Sequence, residues 1–120
     1  MSFRKLPLVR LQVDGRAVPL RVYETDGFLA RARGLLGTTP LADDEALWIR
    51  PCTSVHTLGM RYAIDVLFLD RRQRVMTVRH AVPPLRLAGV YRAHSTVEML
   101  AGTAAALGIS AGSQFDRVIP

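Results

Sequence analysis

Apolar and polar residues alternate near the start of the chain, which predicts two β-strands joined by a tight turn. The alternation covers residues 6–13 and returns, with the same period, over residues 17–23. Asp14-Gly15 lies between them, and glycine accepts the positive φ that a two-residue hairpin needs. Pro19 cannot donate a ladder hydrogen bond, so the second segment is predicted as an edge strand or a bulged one.

A period of three to four replaces the alternation over residues 28–36, which predicts an amphipathic helix. Thr25 or Asp26 can cap its first turn, and Gly37 supplies the residue that ends it. The apolar positions of this helix are Phe28, Leu29, Ala32, Leu35 and Leu36.

The remainder of the chain reads mostly as short strands separated by turns. The run 64–69 is apolar almost throughout, as in a strand buried on both faces. The alanine-rich segment 103–107 predicts a short helix, with Thr103 as its cap and Gly108 as its end. The other predicted strands are 46–49, 74–82, 96–100 and 114–119.

Seven or so short strands with two short helices predict a mainly β fold with short helices (α+β). The expected architecture is a compact, antiparallel β sandwich or barrel. Strands do not alternate regularly with long helices, which argues against a parallel doubly wound sheet. No repeat, low-complexity tract or linker divides the sequence, so residues 1–120 are predicted to form a single domain.

The chain is basic, with a formal net charge of +6, and all but one of its 16 basic residues are arginine. The arginines are scattered, apart from a cluster at Arg71, Arg72 and Arg74 where a hairpin turn is predicted. Aromatic residues make up only 7% of the chain and are not interleaved with the arginines as a base-stacking surface requires. This pattern argues against a nucleic-acid partner.

Cysteine content and hydropathy favour a cytoplasmic protein. The single cysteine cannot form an internal disulfide. No apolar run follows the basic residues near the N-terminus, so no signal peptide is predicted. The longest apolar stretch also falls far short of the ~20 residues of a membrane span.

The segment from His56 to Asp70, HTLGMRYAIDVLFLD, resembles the signature of domain-of-unknown-function family 192. Similar flanking motifs stand at 32–36, 97–103 and 109–115, so the resemblance covers about residues 5–118. It implies a mostly antiparallel, jelly-roll-like β structure with short helices, and no settled activity. Ser113 stands where that family usually has the aspartate of a Gly-Asp turn.

Cys52 and His56 offer the sharpest candidate for catalysis. A cysteine nucleophile needs a base within ~2.6–3.2 Å and a lowered pKa. Four residues of extended strand span ~13 Å, so the two side chains meet only if a turn or bulge lies between them. The structural alternative is a buried cysteine that packs as a small hydrophobe.

Asp65 places a carboxylate at the start of the apolar run. Burial of an unpaired charge is prohibitive, so Asp65 must point out of the core or have a partner, and His56 and Arg61 are the partners expected. With His56 it would form a general base. The alternative, which we favour, is a structural hydrogen bond that pins the 56–61 loop onto the strand.

These residues together predict a binding module for an unknown small molecule or peptide, with a polar or anionic ligand. Arg61 suits a carboxylate or phosphate because its guanidinium binds bidentately. One alternative is a hydrolase or transferase that uses Cys52 or a His56–Asp65 pair, and a second is a basic protein-interaction subunit. The predicted ligand-binding residues are His56, Thr57, Met60, Arg61 and Asp65. The expected pocket wall is formed by Thr57, Met60, Tyr62 and Phe68.

No metal or cofactor site is predicted. His56, His80 and His94 are too far apart in sequence to form the close ligand pairs of zinc sites. The sequence has no glycine-rich phosphate loop. Glu98 is expected to be a strand-edge carboxylate paired with an arginine, and its alternative role is to complete a site with His56.

Overall fold

Hydrogen bonding between the alternating segments produces a mainly β structure. The computed structural model describes residues 3–26, 41–51, 54–56, 62–84, 87–90 and 92–118, without the side chains of 3, 54–56 and 87. Its strands are β1 (Leu8–Val13), β2 (Arg16–Ala17), β3 (Arg21–Thr25), β4 (Glu45–Ile49), β5 (Ser54–His56), β6 (Ile64–Leu69), β7 (Val75–Val82), β8 (Leu87–Gly89), β9 (Ser95–Leu100) and β10 (Phe115–Val118). A 3-10 turn covers Phe3–Lys5, and the helix α1 covers Thr103–Ala106.

Eight strands form one curled sheet in the order β10-β1-β3-β4-β9-β6-β7, with β2 paired to β1. Strands β5 and β8 pair separately as a two-stranded ribbon. The mainly β prediction is confirmed, but the sheet is mixed because β3 runs parallel to β4. The long connection between these two strands allows the chain to cross back and enter β4 in the same direction.

The sheet curls far enough for its two ends to meet. The Val75 amide donates to the Ser113 carbonyl (2.8 Å), and the Phe115 amide donates to the Gln73 carbonyl (2.9 Å). The start of β7 is therefore joined to the segment that leads into β10. The result is a half-barrel rather than two facing sheets.

The two faces of the sheet bury separate apolar clusters. The inner face is centred on Trp48, which meets the Phe115 ring edge-on at 5.9 Å between centroids. Its other buried residues are Leu11, Val13, Leu20, Val22, Ala46, Leu67, Leu69, Val75, Val97, Met99, Ala104 and Ile109. The outer face buries Tyr23, Leu41, Leu47, Ile49, Ile64, Val66, Phe68 and Ala93. The ribbon packs on the outer face through Ala88.

The first hairpin forms as the alternation predicts. Asp14 and Gly15 both have positive φ, 52° and 78°, as a two-residue turn of this kind requires. The predicted strand 17–23 is interrupted at Pro19 and resumes as β3, which is the physical effect of its missing amide. The predicted helix 28–36 lies outside the described residues.

In the part of the chain that the structure describes, no helix is long and apolar enough to cross a membrane.

Candidate functional site

Asp65 is fully buried and accepts three hydrogen bonds from backbone amides. Its Oδ1 accepts from the amide of Ala81 (2.9 Å), and its Oδ2 accepts from Gly102 (3.0 Å) and Ala104 (3.1 Å). Asp65 thus ties β6 to the end of β7 and to the first turn of α1. These bonds agree with a structural role for Asp65, although the groups held here are not those of the predicted 56–61 loop.

The first turn of α1 depends on this distant carboxylate. Gly102 occupies the cap position with φ 91°, and no side chain of the capping residue itself bonds to the helix. Thr103 was predicted as the cap, but it is the first helical residue. The reason is geometric, since the left-handed backbone at the cap favours glycine, and Asp65 already fills the acceptor position.

The Ala81 amide held by Asp65 belongs to a bulge at the end of β7. Ile64 pairs with Val82 and Val66 pairs with Arg79, so β7 has one more residue here than β6. Ala81 takes φ 50°, a left-handed conformation that costs a non-glycine residue energy. The buried carboxylate therefore stabilises a strained stretch of backbone.

This bulge forms one wall of an open groove of about 620 Å³ between β7 and β8. We call it the β7–β8 groove. Arg79 and His80 are exposed at its rim, and no carboxylate of the described residues forms an ion pair with Arg79. Its lining residues are Val78, Arg79, His80, Ala81, Val82, Pro83, Ala88 and Gly89.

Of the predicted site residues that the structure describes, none lines this groove, but His56 and Asp65 are each linked through the backbone to one of its walls. Backbone pairing places His56 opposite Leu87, so the strand that carries His56 lies directly behind one wall of the groove. Asp65 supports the other wall through Ala81. Cys52, Thr57, Met60 and Arg61 lie outside the described residues, and their predicted roles stay predictions.

Two other residues of the expected pocket wall differ in their exposure. Phe68 is fully buried in the outer-face cluster, so it cannot line an open pocket. Tyr62 is partly exposed, and its hydroxyl accepts a hydrogen bond from the Leu41 amide at 3.3 Å. Burial raises the pKa of Tyr62, and the nearby Glu98 carboxylate raises it further.

Glu98 lies at the centre of the sheet, not at an edge. Its strand β9 runs between β4 and β6, where Glu98 is opposite Leu47 and Val66. Within the described residues its carboxyl has no hydrogen-bond or ion-pair partner, so the predicted pairing with an arginine is wrong for this part of the chain. Burial raises the pKa of Glu98 to about 7.

Glu45 lies on the same face of the sheet as Glu98, but its pKa is lowered rather than raised. It is also fully buried, but Arg4 donates to both of its oxygens, at 2.8 and 2.7 Å. The Ala42 amide adds a third bond of 2.9 Å. Burial tends to raise the pKa of Glu45, but these donors outweigh it and lower the pKa.

Sequence reasoning missed the groove and the isolation of Glu98. The groove depends on β8, a three-residue strand that ends in glycine and has no alternation to reveal it. The central place of β9 depends on the strand order of the sheet, which local patterns do not encode. A carboxylate between the apolar residues Val97 and Met99 is the signal that the sequence offers for Glu98.

Comparison with known proteins supports the fold and the family resemblance. The model of domain-of-unknown-function family 192, described as an uncharacterized ACR, matches residues 9–116. No curated protein matches the chain.

Two solved structures share the fold. The first, from Sinorhizobium meliloti and described as a proposed transcription regulator, has a TM-score of 0.81 at 20% identity, covering 93% of this chain and 95% of that one. The second, a protein of unknown function from Novosphingobium aromaticivorans, has a TM-score of 0.79 at 22% identity, covering 92% of this chain and 86% of that one. At these identities the likeness extends to the fold alone.

Proposed function

From its own geometry we propose that this chain, which belongs to domain-of-unknown-function family 192, binds a small polar or anionic ligand in the β7–β8 groove. The observation that carries the proposal is the groove itself, which is open and has two exposed basic residues at its rim. A volume of about 620 Å³ lies within the range of small-molecule sites.

The charges at the groove favour an anionic group on the ligand. Arg79 has no ion-pair partner among the described residues, so its guanidinium can bind a carboxylate or phosphate bidentately. His80 adds a second polar side chain at the same rim. Arg61, predicted from the sequence to bind an anion, is a further candidate contact in this proposal.

Hydrogen bonds support both walls of the groove, which would reduce the entropic cost of binding. Asp65 fixes the bulge at Ala81, and the β5–β8 ribbon supports the opposite wall. Asp65 therefore acts as a positioning residue, and the ligand contacts are those at the rim. His56, Thr57 and Met60 stay predicted contacts.

The test is a screen of small carboxylates, phosphates and neutral amides, observed through backbone amide signals. We expect binding to shift the signals of Arg79, His80 and Gly89. We expect Arg79→Ala to lower the affinity for anionic compounds about tenfold, because one charge-assisted contact is lost. Arg10→Ala removes an exposed arginine on β1 and is expected to have no effect. Equal affinities for the two variants, or shifts confined to other surfaces, would contradict the proposal.

The enzyme alternative rests on Cys52 and His56. The pairing of His56 with Asp65 is not favoured, because all three described bonds of Asp65 go to backbone amides. Rapid alkylation of native Cys52, with an apparent pKa well below ~8.5, would support the cysteine version. Labelling only after denaturation would leave the binding function as the better proposal.

A further inference from the structure

Two arginines converge on one carboxylate at the end of the half-barrel opposite α1. Arg50 Nη2 lies 2.8 Å and Arg117 Nε lies 2.7 Å from the same oxygen of Glu24, Oε1. The three side chains come from β3, from the residue after β4, and from β10, so the fold assembles them from distant parts of the sequence. Together they carry one positive charge in excess.

Trp48 holds both guanidinium groups in place. The guanidinium carbons lie 4.6 Å (Arg50) and 5.2 Å (Arg117) from the centroid of the indole ring, within the range of cation–π contacts. The ring is itself fixed, since it is fully buried and its Nε1 donates to Ser95 Oγ at 3.0 Å. The two guanidiniums are therefore oriented before any ligand arrives.

Most of the hydrogen-bond donors in this cluster lack a partner among the described residues. Each guanidinium has five N–H donors, yet only Arg50 Nη2 forms a well-aligned bond to Glu24. Arg117 Nε is buried and close to Oε1, but its N–H is not directed at that oxygen. The cluster thus combines excess positive charge with donors that have no partner in the part of the chain that the structure describes.

The cluster is also open to solvent. The side chains of Glu24, Arg50 and Arg117 are 22%, 26% and 33% exposed. Burial raises the pKa of Glu24, and the charge of Arg117 opposes that rise. One added monoanion would bring the net charge of the group to zero.

We propose that Arg50 and Arg117, oriented on Trp48, form a binding site for one oxyanion group, a phosphate or a carboxylate. The site is separate from the β7–β8 groove and does not depend on the proposed function. Guanidinium forks match the geometry of both groups, and the preset orientation limits the entropy lost on binding.

The experiment titrates the full chain with inorganic phosphate and, separately, with acetate, at constant ionic strength held by chloride. The readouts are the NMR signals of the Arg117 Nε–H and of the indole N–H, which is unique because the chain has a single tryptophan. We expect a saturable shift with at least one of the two anions. The anion that binds more tightly identifies the group that the site prefers.

Arg117→Lys keeps the charge but removes the guanidinium fork, and we expect it to weaken binding about tenfold. Because the Nε–H signal is lost in this variant, the indole signal reports its affinity, and Arg50→Lys provides an independent second variant. Arg16→Lys, an exposed residue on β2, is the matched control and is expected to bind normally. A response that does not saturate, that chloride reproduces, or that is equal in all three variants would overturn the proposal.

These outcomes also separate the two sites. If no anion binds at Arg50 and Arg117, ligands of the groove can still shift the signals of Arg79 and Gly89. If no ligand binds in the groove, anions can still shift the indole signal of Trp48.

Discussion

Replacing Asp65 by asparagine is expected to lower the free energy of unfolding by roughly 4 kcal/mol, because hydrogen bonds to charged groups contribute about 1.5–3 kcal/mol each. If the NH₂ group of asparagine takes the place of Oδ2, it cannot accept the hydrogen bonds from the amides of Gly102 and Ala104. Its own N–H donors would then face these two N–H donors. The site is fully buried, so water cannot replace the lost acceptor. Such a loss is a large part of the ordinary stability of a small domain.

Chemical denaturation would measure this change, and Asp70→Asn is the matched control. Asp70 also accepts from two backbone amides, those of Arg72 (2.9 Å) and Arg74 (3.0 Å), but it lies at a solvent-accessible turn. We expect its replacement to cost no more than about 1 kcal/mol, since water can satisfy the freed amides. If the two variants lost similar stability, the structural role assigned to Asp65 would be wrong.

Hydrogen exchange would locate the effect of the Asp65 substitution. The amides of Ala81 and Ala104 should lose protection first, because they mark the two elements that the carboxylate holds. Loss of the hydrogen bond to Ala81 should also weaken the binding of any ligand in the β7–β8 groove, whose wall contains Ala81.

Replacing Glu98 by glutamine is expected to stabilise the protein at pH 8 while having far less effect at pH 4. Glutamine has the shape of the protonated acid but no charge to desolvate in the sheet centre. A pKa raised from 4.5 to about 7 corresponds to a difference of about 3 kcal/mol in the free energy of unfolding between low and high pH.

The sign follows from proton binding in the two states. Below pH 4.5 the carboxyl is protonated in both the folded and the unfolded chain, so burial carries no charge penalty. Between pH 4.5 and about 7 the unfolded chain loses its proton while the folded chain keeps it, and stability falls. Above about pH 7 both states are ionised, and the full penalty remains.

Glu45→Gln is the control for this effect because it should show the reverse dependence on pH. The lowered pKa of Glu45 means that its stabilising contribution is present above the unfolded pKa and is lost as the solution becomes acidic. The glutamine variant should therefore be destabilised at neutral pH and approach the parent protein at low pH. Urea unfolding of both variants from pH 8 down to about pH 3, which lies below the unfolded pKa of 4.5, is the measurement. A difference between Glu98→Gln and the parent that stays constant over this range would refute the burial of an ionisable Glu98.

The strands that the sequence predicted best are those with a strong local pattern. The alternation before Asp14 and the apolar run 64–69 both correspond to strands close to the predicted limits. The family resemblance added the expectation of a mostly antiparallel β structure with short helices, which agrees with the curled sheet. Local patterns succeed here because each strand must direct its apolar residues to a face of the sheet, whatever its neighbours are.

The contacts between strands could not be predicted in the same way. The partners of Asp65 are backbone amides that almost any residue could supply, so the residue types in the sequence do not predict them. The cluster of Arg50, Arg117 and Trp48 requires β10 and β4 to share one curled sheet with only β1 and β3 between them, which follows only from the strand order. The parallel pairing of β3 with β4 likewise depends on the path of a long connection.

The pairing of β1 with β10 has a consequence for the rate of folding. Residues 10–13 of β1 pair with residues 115–118 of β10, so about a hundred residues separate the two partners along the chain. Until this pairing forms during folding, β1 keeps an unpaired strand edge and the inner face lacks Phe115. We therefore expect slow folding, because so long a loop must close before these contacts can form.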